Sequence, residues 1–300
     1  MTGTRTLQVG DRVLIVANPA TRREIEPILS MLRKTAPAGV ELDIRVTSVA
    51  GEARTLAQDH AHGAAMVVAI GGDGTVADVA GSLEEGRIPL AIVAAGSTNI
   101  IGRQLGIPTD PARAAALFWG QHDERLIDAG RCNDRVFLHM AGVGFDSELF
   151  ARTDRRLKRK VGWMAYLPAG ASALREKPAH FHIVVDDEEL DVVSPLVLVA
   201  NGSAIIHPML TIHPDIDLDD GKLDLIVVTA TTPTEIARTL GRAATRSLSQ
   251  SPFIMHRQAT TVTVRADRDI PVQVDGDVTE TLPATFRIDP RSVRVVVPLR

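Results

Sequence analysis

Along residues 12–119, short apolar runs alternate with stretches whose apolar side chains recur every three or four positions. Residues 12–17 (Arg-Val-Leu-Ile-Val-Ala) have the length of a buried strand, and the run stops at Asn18-Pro19. Ile25, Ile28, Leu29 and Leu32 then mark one face of a helix. Leu42, Ile44 and Val46 alternate with polar residues, as a strand does. Residues 51–62 read as a helix with Ala53, Leu56 and Ala57 inward, followed by a strand over 65–70, a helix over 75–85 and a strand over 90–95. Asp110-Pro111 makes an N-cap and first-turn pair for a helix over 111–119. This alternation predicts an α/β domain with a parallel, doubly wound sheet and helices on both faces. Ligands of such sheets gather outside the carboxyl ends of the strands. Asn18, Thr47, Gly71–Thr75 and Gly96–Asn99 all fall at such ends.

From about residue 129 the texture changes. Runs at 135–140, 179–185, 195–200, 223–229, 260–265 and 270–275 are strand-like and are separated by turn clusters such as Asp186-Asp187-Glu188. A basic helical stretch at 152–160 and a helix near 233–247 interrupt them. The expectation is a nucleotide-binding α/β domain over 1–128, with at most a short hinge near Asp128–Arg131. A β-rich antiparallel domain follows over 129–300, whose last strand, Val293–Val297, is able to return to the first domain.

Composition narrows the function classes. Apolar content of 45% and charged content of 23% suit a soluble globular chain. A net charge of −4 and only 3% aromatics argue against nucleic acid as a partner. Cys132 is the single cysteine, so one chain has no disulfide or cysteine-based zinc site, which fits a reducing cytoplasm. Met1–Arg5 lacks a signal-peptide core, and no apolar run approaches the roughly 20 residues that span a bilayer. Membrane contact would be peripheral.

The most informative segment is Gly71-Gly72-Asp73-Gly74-Thr75, a turn between a strand and a helix. Glycines let backbone N–H groups approach an anion, and a helix N-terminus favours negative charge. Asp73 adds a carboxylate, which a phosphate would repel unless a magnesium ion lay between them. A second loop, Ala95-Gly96-Ser97-Thr98-Asn99, repeats this plan. Other segments are ambiguous. Asp275-Gly276 is, by itself, an ordinary hairpin turn. Asp215, Asp217, Asp219 and Asp220 do not form an EF-hand, because the sixth and twelfth positions hold Asp220 and Ile226. Six Arg and Lys side chains between Arg152 and Lys160 precede Val161–Leu167 with Trp163 and Tyr166. The segment reads either as a membrane-facing patch or as a solvated face before a core helix. The histidines form no ligand set: His60 and His62 point apart, His180 and His182 lack further ligands, and His207 and His213 read as loop residues.

Asn18-Pro19, Gly71–Thr75 and Gly96–Asn99 together resemble the catalytic domain of the diacylglycerol kinase and long-chain-base kinase family, most of all its bacterial soluble lipid kinases. Asp128-Ala129-Gly130, Gly142-Val143-Gly144-Phe145-Asp146, Asp220-Gly221-Lys222-Leu223-Asp224 and Val274-Asp275-Gly276-Asp277 follow in the family's order. The resemblance implies a fold like that of NAD kinase and phosphofructokinase, and an ATP- and Mg²⁺-dependent enzyme that phosphorylates a lipid hydroxyl. ATP would bind at Asn18, Pro19, Thr47, Gly71, Gly72, Asp73, Gly74, Thr75, Gly96, Ser97, Thr98 and Asn99, with Asp128 in the metal network. Asp277 would be the general base, where the family has glutamate. A structural magnesium would take the Asp220 carboxylate and the carbonyls of Asp217 and Lys222. The lipid substrate would be met peripherally at the inner membrane face through 152–167; a homodimer is compatible with the sequence. Ile100 departs from the acidic residue common in bacterial diacylglycerol kinases, and Gly202–Leu210 from a glycine-rich stretch. An NAD kinase-like enzyme and a catalytically idle nucleotide- or lipid-binding relative are the alternatives.

Overall fold

A computed structural model describes residues 6–21, 23–49, 51–83, 86–144, 177–204, 212–245 and 247–299. The chain divides into two compact units, one of Met1–Ala129 with Pro290–Arg300 and one of Gly130–Asp289.

The first unit is α/β. Its elements are β1 (Arg12–Ala17), α1 (Ile25–Thr35), β2 (Glu41–Val46), α2 (Glu52–His60), β3 (Met66–Gly71), α3 (Asp73–Ala80), β4 (Leu90–Ala94), α4 (Ile100–Gln104) and α5 (Pro111–Trp119). The strands pair in parallel in the order β2-β1-β3-β4. Helix α1 packs on α5 and α2 on α3. With apolar matter on both sides, β3 and β4 are buried at every position, which is why they read as unbroken apolar runs and not as alternating ones. The face of α1 that the sequence marks, Ile25, Ile28, Leu29 and Leu32, is the buried one. Asp110 caps α5 by accepting a hydrogen bond from the Arg113 N–H. The strand order reverses between β1 and β3, and crevices at such reversals bind ligands.

Two long strands run through the division of the chain. β5 (Asp123–Cys132) carries the chain out of the first unit, and Asp128–Arg131 lies inside this extended strand. β16 (Ala284–Val297) brings the chain back, and Val295 stands beside Leu90 of β4 in parallel. Arg294 secures this end, pairing with the buried Glu124 at 2.9 Å and donating from Nε to the Gly86 carbonyl at 2.6 Å.

The second unit is antiparallel and β-rich. It contains β6 (Arg135–Phe137), β7 (Met140–Val143), β8 (Ala179–Val185), β9 (Glu188–Ser194), β10 (Leu196–Ala200), β11 (Leu223–Val228), α6 (Pro233–Ala244), β12 (Ile254–Ala259), β13 (Thr261–Ala266), β14 (Pro271–Val274) and β15 (Asp277–Thr281). One sheet runs β12-β11-β10-β7-β14-β15; in the other, β13 lies between β8 and the first part of β16, with β9 beyond β8. Phe137, Phe181, Val199, Leu225, Val264 and Phe286 belong to one apolar core fed by both sheets. A second cluster, with Leu196, Leu198, Ile226 and Ile236 of α6, lies on the other side of β10 and β11. Those two strands are therefore apolar on both faces, whereas β8 alternates. Helix α6 starts with a capping box between Thr232 and Glu235. The basic segment 152–167 and most of 202–210 lie outside the described residues.

Candidate functional site

The site grows from the ends of β1, β3 and β4. Asn18 follows β1; its N–H donates to the Ile70 carbonyl at 3.0 Å and its side-chain amide to Thr75 Oγ1 at 3.1 Å. Asn18 thereby ties the end of β1 to both sides of the glycine turn. Its Oδ1 turns the chain just after Pro19 by accepting from the Ala20 N–H at 2.9 Å. Thr47, just past β2, is buried and donates its N–H to the Ala17 carbonyl at 2.9 Å. Glu52 gathers the following loop by accepting from the Ser48 N–H and hydroxyl and the Val49 N–H. The Ser48 bonds, first among several, hold its carboxyl below the usual range.

Gly72 is the N-cap of α3, so the helix begins at Asp73 and not at Thr75. The reason for the glycines is partly internal. A Cβ on Gly71 would fall 2.4 Å from Thr75 Cβ, and one on Gly96 would fall 2.5 Å from the Gly72 Cα. The turns after β3 and β4 thus touch backbone to backbone, which supplements the anion-cradling reason expected from sequence. The Gly71 carbonyl accepts from the N–H groups of Ala95 and Gly96 at 2.8 and 3.2 Å. Asn99 closes the second turn on itself: its Oδ1 accepts from the Gly96 N–H and its amide donates to the Gly96 carbonyl. Asn99 holds φ near 50°, a left-handed conformation that asparagine tolerates better than most residues.

Asp73 joins the two turns. Its Oδ1 accepts from the Ile101 N–H at 3.2 Å and its Oδ2 from the Thr98 hydroxyl at 3.3 Å. A carboxylate offers about four lone-pair positions, so two long bonds leave acceptor capacity for a cation. Thr98, bonded to it, and Thr75 in the same helical turn add hydroxyl oxygens, hard donors that suit magnesium. The residues fit that ion. Ile100 is buried with Ile101 in α4. Ser97 is exposed at the tip of the loop.

The remaining candidates are placed differently. Asp128 is completely buried in β5 and its Oδ1 accepts from the Arg291 N–H at 2.6 Å, which holds β16 where Arg291 has positive φ. Asp275 and Gly276, both with positive φ, form the two-residue turn of the β14–β15 hairpin. The Asp275 carboxylate accepts from the N–H groups of Leu138, His139 and Met140 at 2.8–3.0 Å. Asp277 opens β15; its carboxylate is 62% exposed and 3.2 Å from Arg135. At the acidic turn, Asp217 folds back onto the Leu218 N–H, and Asp220 accepts from the Lys222 N–H at 2.9 Å and the Gln258 amide at 3.2 Å. As at Asp73, two donors leave lone pairs on the Asp220 carboxylate. Cys132 is buried, and burial first pushes its thiol up to about 12, so it is inert.

Sequence reasoning missed one cluster. His213 does not stand alone in a loop: its ring lies 4.0 Å from that of His256. Forty-three residues of separation hide such a pair from any local pattern.

Two family models match the chain. Residues 12–132 match the diacylglycerol kinase catalytic domain, and residues 140–297 the YegS C-terminal NAD kinase beta sandwich-like domain. A YegS-like protein of Pseudomonas aeruginosa, described as a probable lipid kinase, is 32% identical over 96% of this chain and 95% of its own length. A diacylglycerol kinase of Bacillus subtilis is 29% identical over 96% of each. The solved structure of a candidate diacylglycerol kinase from Bacillus anthracis superimposes with a TM-score of 0.80 at 25% identity, covering 97% of both chains.

Proposed function

We propose, from the premise that this chain belongs to the diacylglycerol kinase family of lipid kinases, that it moves the γ-phosphoryl group of ATP to a hydroxyl of diacylglycerol or a related lipid. The family gives a phosphotransferase acting on lipid; the donor, the metal and the acceptor are our reading. The observation that carries it is the Asp73 carboxylate, which joins the turns after β3 and β4 while keeping lone pairs to spare.

Asn18, Pro19, Thr47, Gly71–Thr75 and Gly96–Asn99 would line the phosphates, helped by the N-terminus of α3. Asp73 would hold a magnesium ion, which when bound supplies charge neutralisation to the triphosphate. Asp128 acts one step back, by fixing the strand that carries Arg291. Asp277 would accept the proton of the lipid hydroxyl, with Arg135 orienting its carboxylate. General-base catalysis of this kind contributes on the order of 10²–10⁴-fold. The Asp220 carboxylate, with the carbonyls of Asp217 and Lys222, would hold a structural magnesium ion that enters no step of the transfer. Among the described residues no helix is long and apolar enough to cross a membrane; the lipid would be met at a bilayer surface, for which 152–167 is the candidate segment.

The test is transfer of labelled γ-phosphate to a panel of diacylglycerols, sphingoid bases and NAD, with Asp73→Ala as control. Labelled lipid that vanishes in the variant supports the reading. Product with NAD alone, or ATP binding without transfer to any acceptor, overturns it.

A further inference from the structure

Two imidazoles lie ring to ring in the second unit. His213, in the loop before β11, and His256, on β12, have centroids 4.0 Å apart and planes 31° apart. Ligand atoms of His213, His256 and Asp215 all lie within 4.8 Å of one another. The rings are 18% and 17% exposed while Asp215 is 69% exposed, so the group is partly sheltered yet reachable from solvent.

The nitrogens are prepared to donate electron pairs. The Asp215 N–H reaches His213 Nδ1 at 3.4 Å, a contact so long that a metal on that nitrogen would displace little. Behind His256 stands Asp224 of β11, with no exposed surface; its Oδ1 is 2.6 Å from His256 Nε2. That contact puts the proton of a neutral ring on Nε2 and leaves Nδ1 as the donor to a metal, the arrangement in which a carboxylate orients a ligating histidine. The second oxygen of Asp224 is buried and makes no hydrogen bond of ordinary geometry. A buried carboxylate, here held by His256 and Gln258, is costly unless positive charge offsets it. A cation on the far side of the His256 ring would supply that charge.

We infer that His213, His256 and Asp215 form a binding site for a divalent transition metal, with Asp224 as the positioning residue behind His256. Imidazole donors select zinc and its neighbours over magnesium. Two histidines and one carboxylate leave a fourth position for water, as in open zinc sites. The site stands apart from the phosphoryl-transfer reading and does not depend on it.

The experiment is a competition titration of the full chain, stripped with EDTA, against a chromophoric chelator with Zn²⁺ as the probe. One zinc per chain is expected. Asp215→Asn, at an exposed position, should weaken binding, and His213→Gln should abolish it. Asp224→Asn should weaken it about 10–100-fold, with circular dichroism reporting the fold of each variant. His180→Ala and His182→Ala should leave it unchanged. Absence of zinc binding tighter than micromolar would overturn the site, as would binding that survives His213→Gln and Asp215→Asn. Loss of binding in Asp220→Asn, with the histidine variants intact, would overturn it in favour of the acidic turn.

Discussion

Gly72 and Gly96 meet through their backbones: a Cβ on Gly96 would lie 2.5 Å from the Gly72 Cα. Neither strand end has room to give, because β3 and β4 are buried on both faces. Gly96→Ala should therefore destabilise the protein by about 1–3 kcal/mol, as overpacking of a tight core does. Denaturant midpoints measure it, and an unchanged midpoint would mean that the turns yield freely.

Asp73 serves two roles that two substitutions separate. Asp73→Ala removes both hydrogen bonds and the charge, and should abolish turnover in a folded protein. Asp73→Asn can still accept from the Ile101 N–H, so its Tm should stay near that of the parent. If the charge holds a metal, kcat of this variant still falls at least about 10²-fold, the scale of a lost charge-stabilising contact. Retained wild-type turnover in Asp73→Asn would reduce Asp73 to a tie between loops.

Asp275 and Asp277, two residues apart, should respond in opposite ways. Asp275→Ala strands three N–H groups at Leu138–Met140 and should cost about 3 kcal/mol of stability. Asp277→Asn loses one exposed ion pair, worth little to the fold. It should instead lower kcat strongly with a modest change in ATP affinity. Asp277→Glu should be tolerated or faster, because it keeps the carboxylate and lengthens its reach; misplacing a base by about 1.5 Å can cost about 10²-fold. Steady-state kinetics on both variants decide whether the proton goes to Asp277.

Asp186 gives a pH dependence with a fixed sign. Burial would raise its carboxyl, but hydrogen bonds from Thr261 and Thr260 outweigh it and hold it below 3.8. A depressed acid contributes stability above its unfolded value and loses it as pH falls through the folded one. Stability should thus decline below pH 3.8. Asp186→Asn, which also tolerates the positive φ at this turn, should flatten that part of the acid limb in urea titrations at several pH values.

Local patterns carried much of this architecture. β1 and β8 have the residues that their apolar runs mark, and α5 starts where Asp110-Pro111 announces it. β5 was hidden because Asp128, Gly130 and Arg131 look like a turn, and only the pairing with β6 and β16 makes them a strand. β16 was read over its apolar end alone, since Pro290 and Arg291 interrupt the pattern that pairing across fourteen residues overrides. In the candidate site, the identities of Gly71–Thr75 and Gly96–Asn99 were legible as chemistry. The contact that makes Gly96 a glycine was not, for it depends on a second turn brought alongside by the sheet. The His213–His256 pair is the extreme case, with neither residue carrying any local sign of the other.

The return of β16 makes the α/β unit discontinuous in the chain. A ribosome releases every helix of that unit long before it releases Val295, the partner of Leu90. The N-terminal sheet must wait with one border unfinished while the whole β-rich unit is synthesised. Completion of this sheet is thereby tied to synthesis of β16, and a product terminated before it would lack a piece of its oldest part.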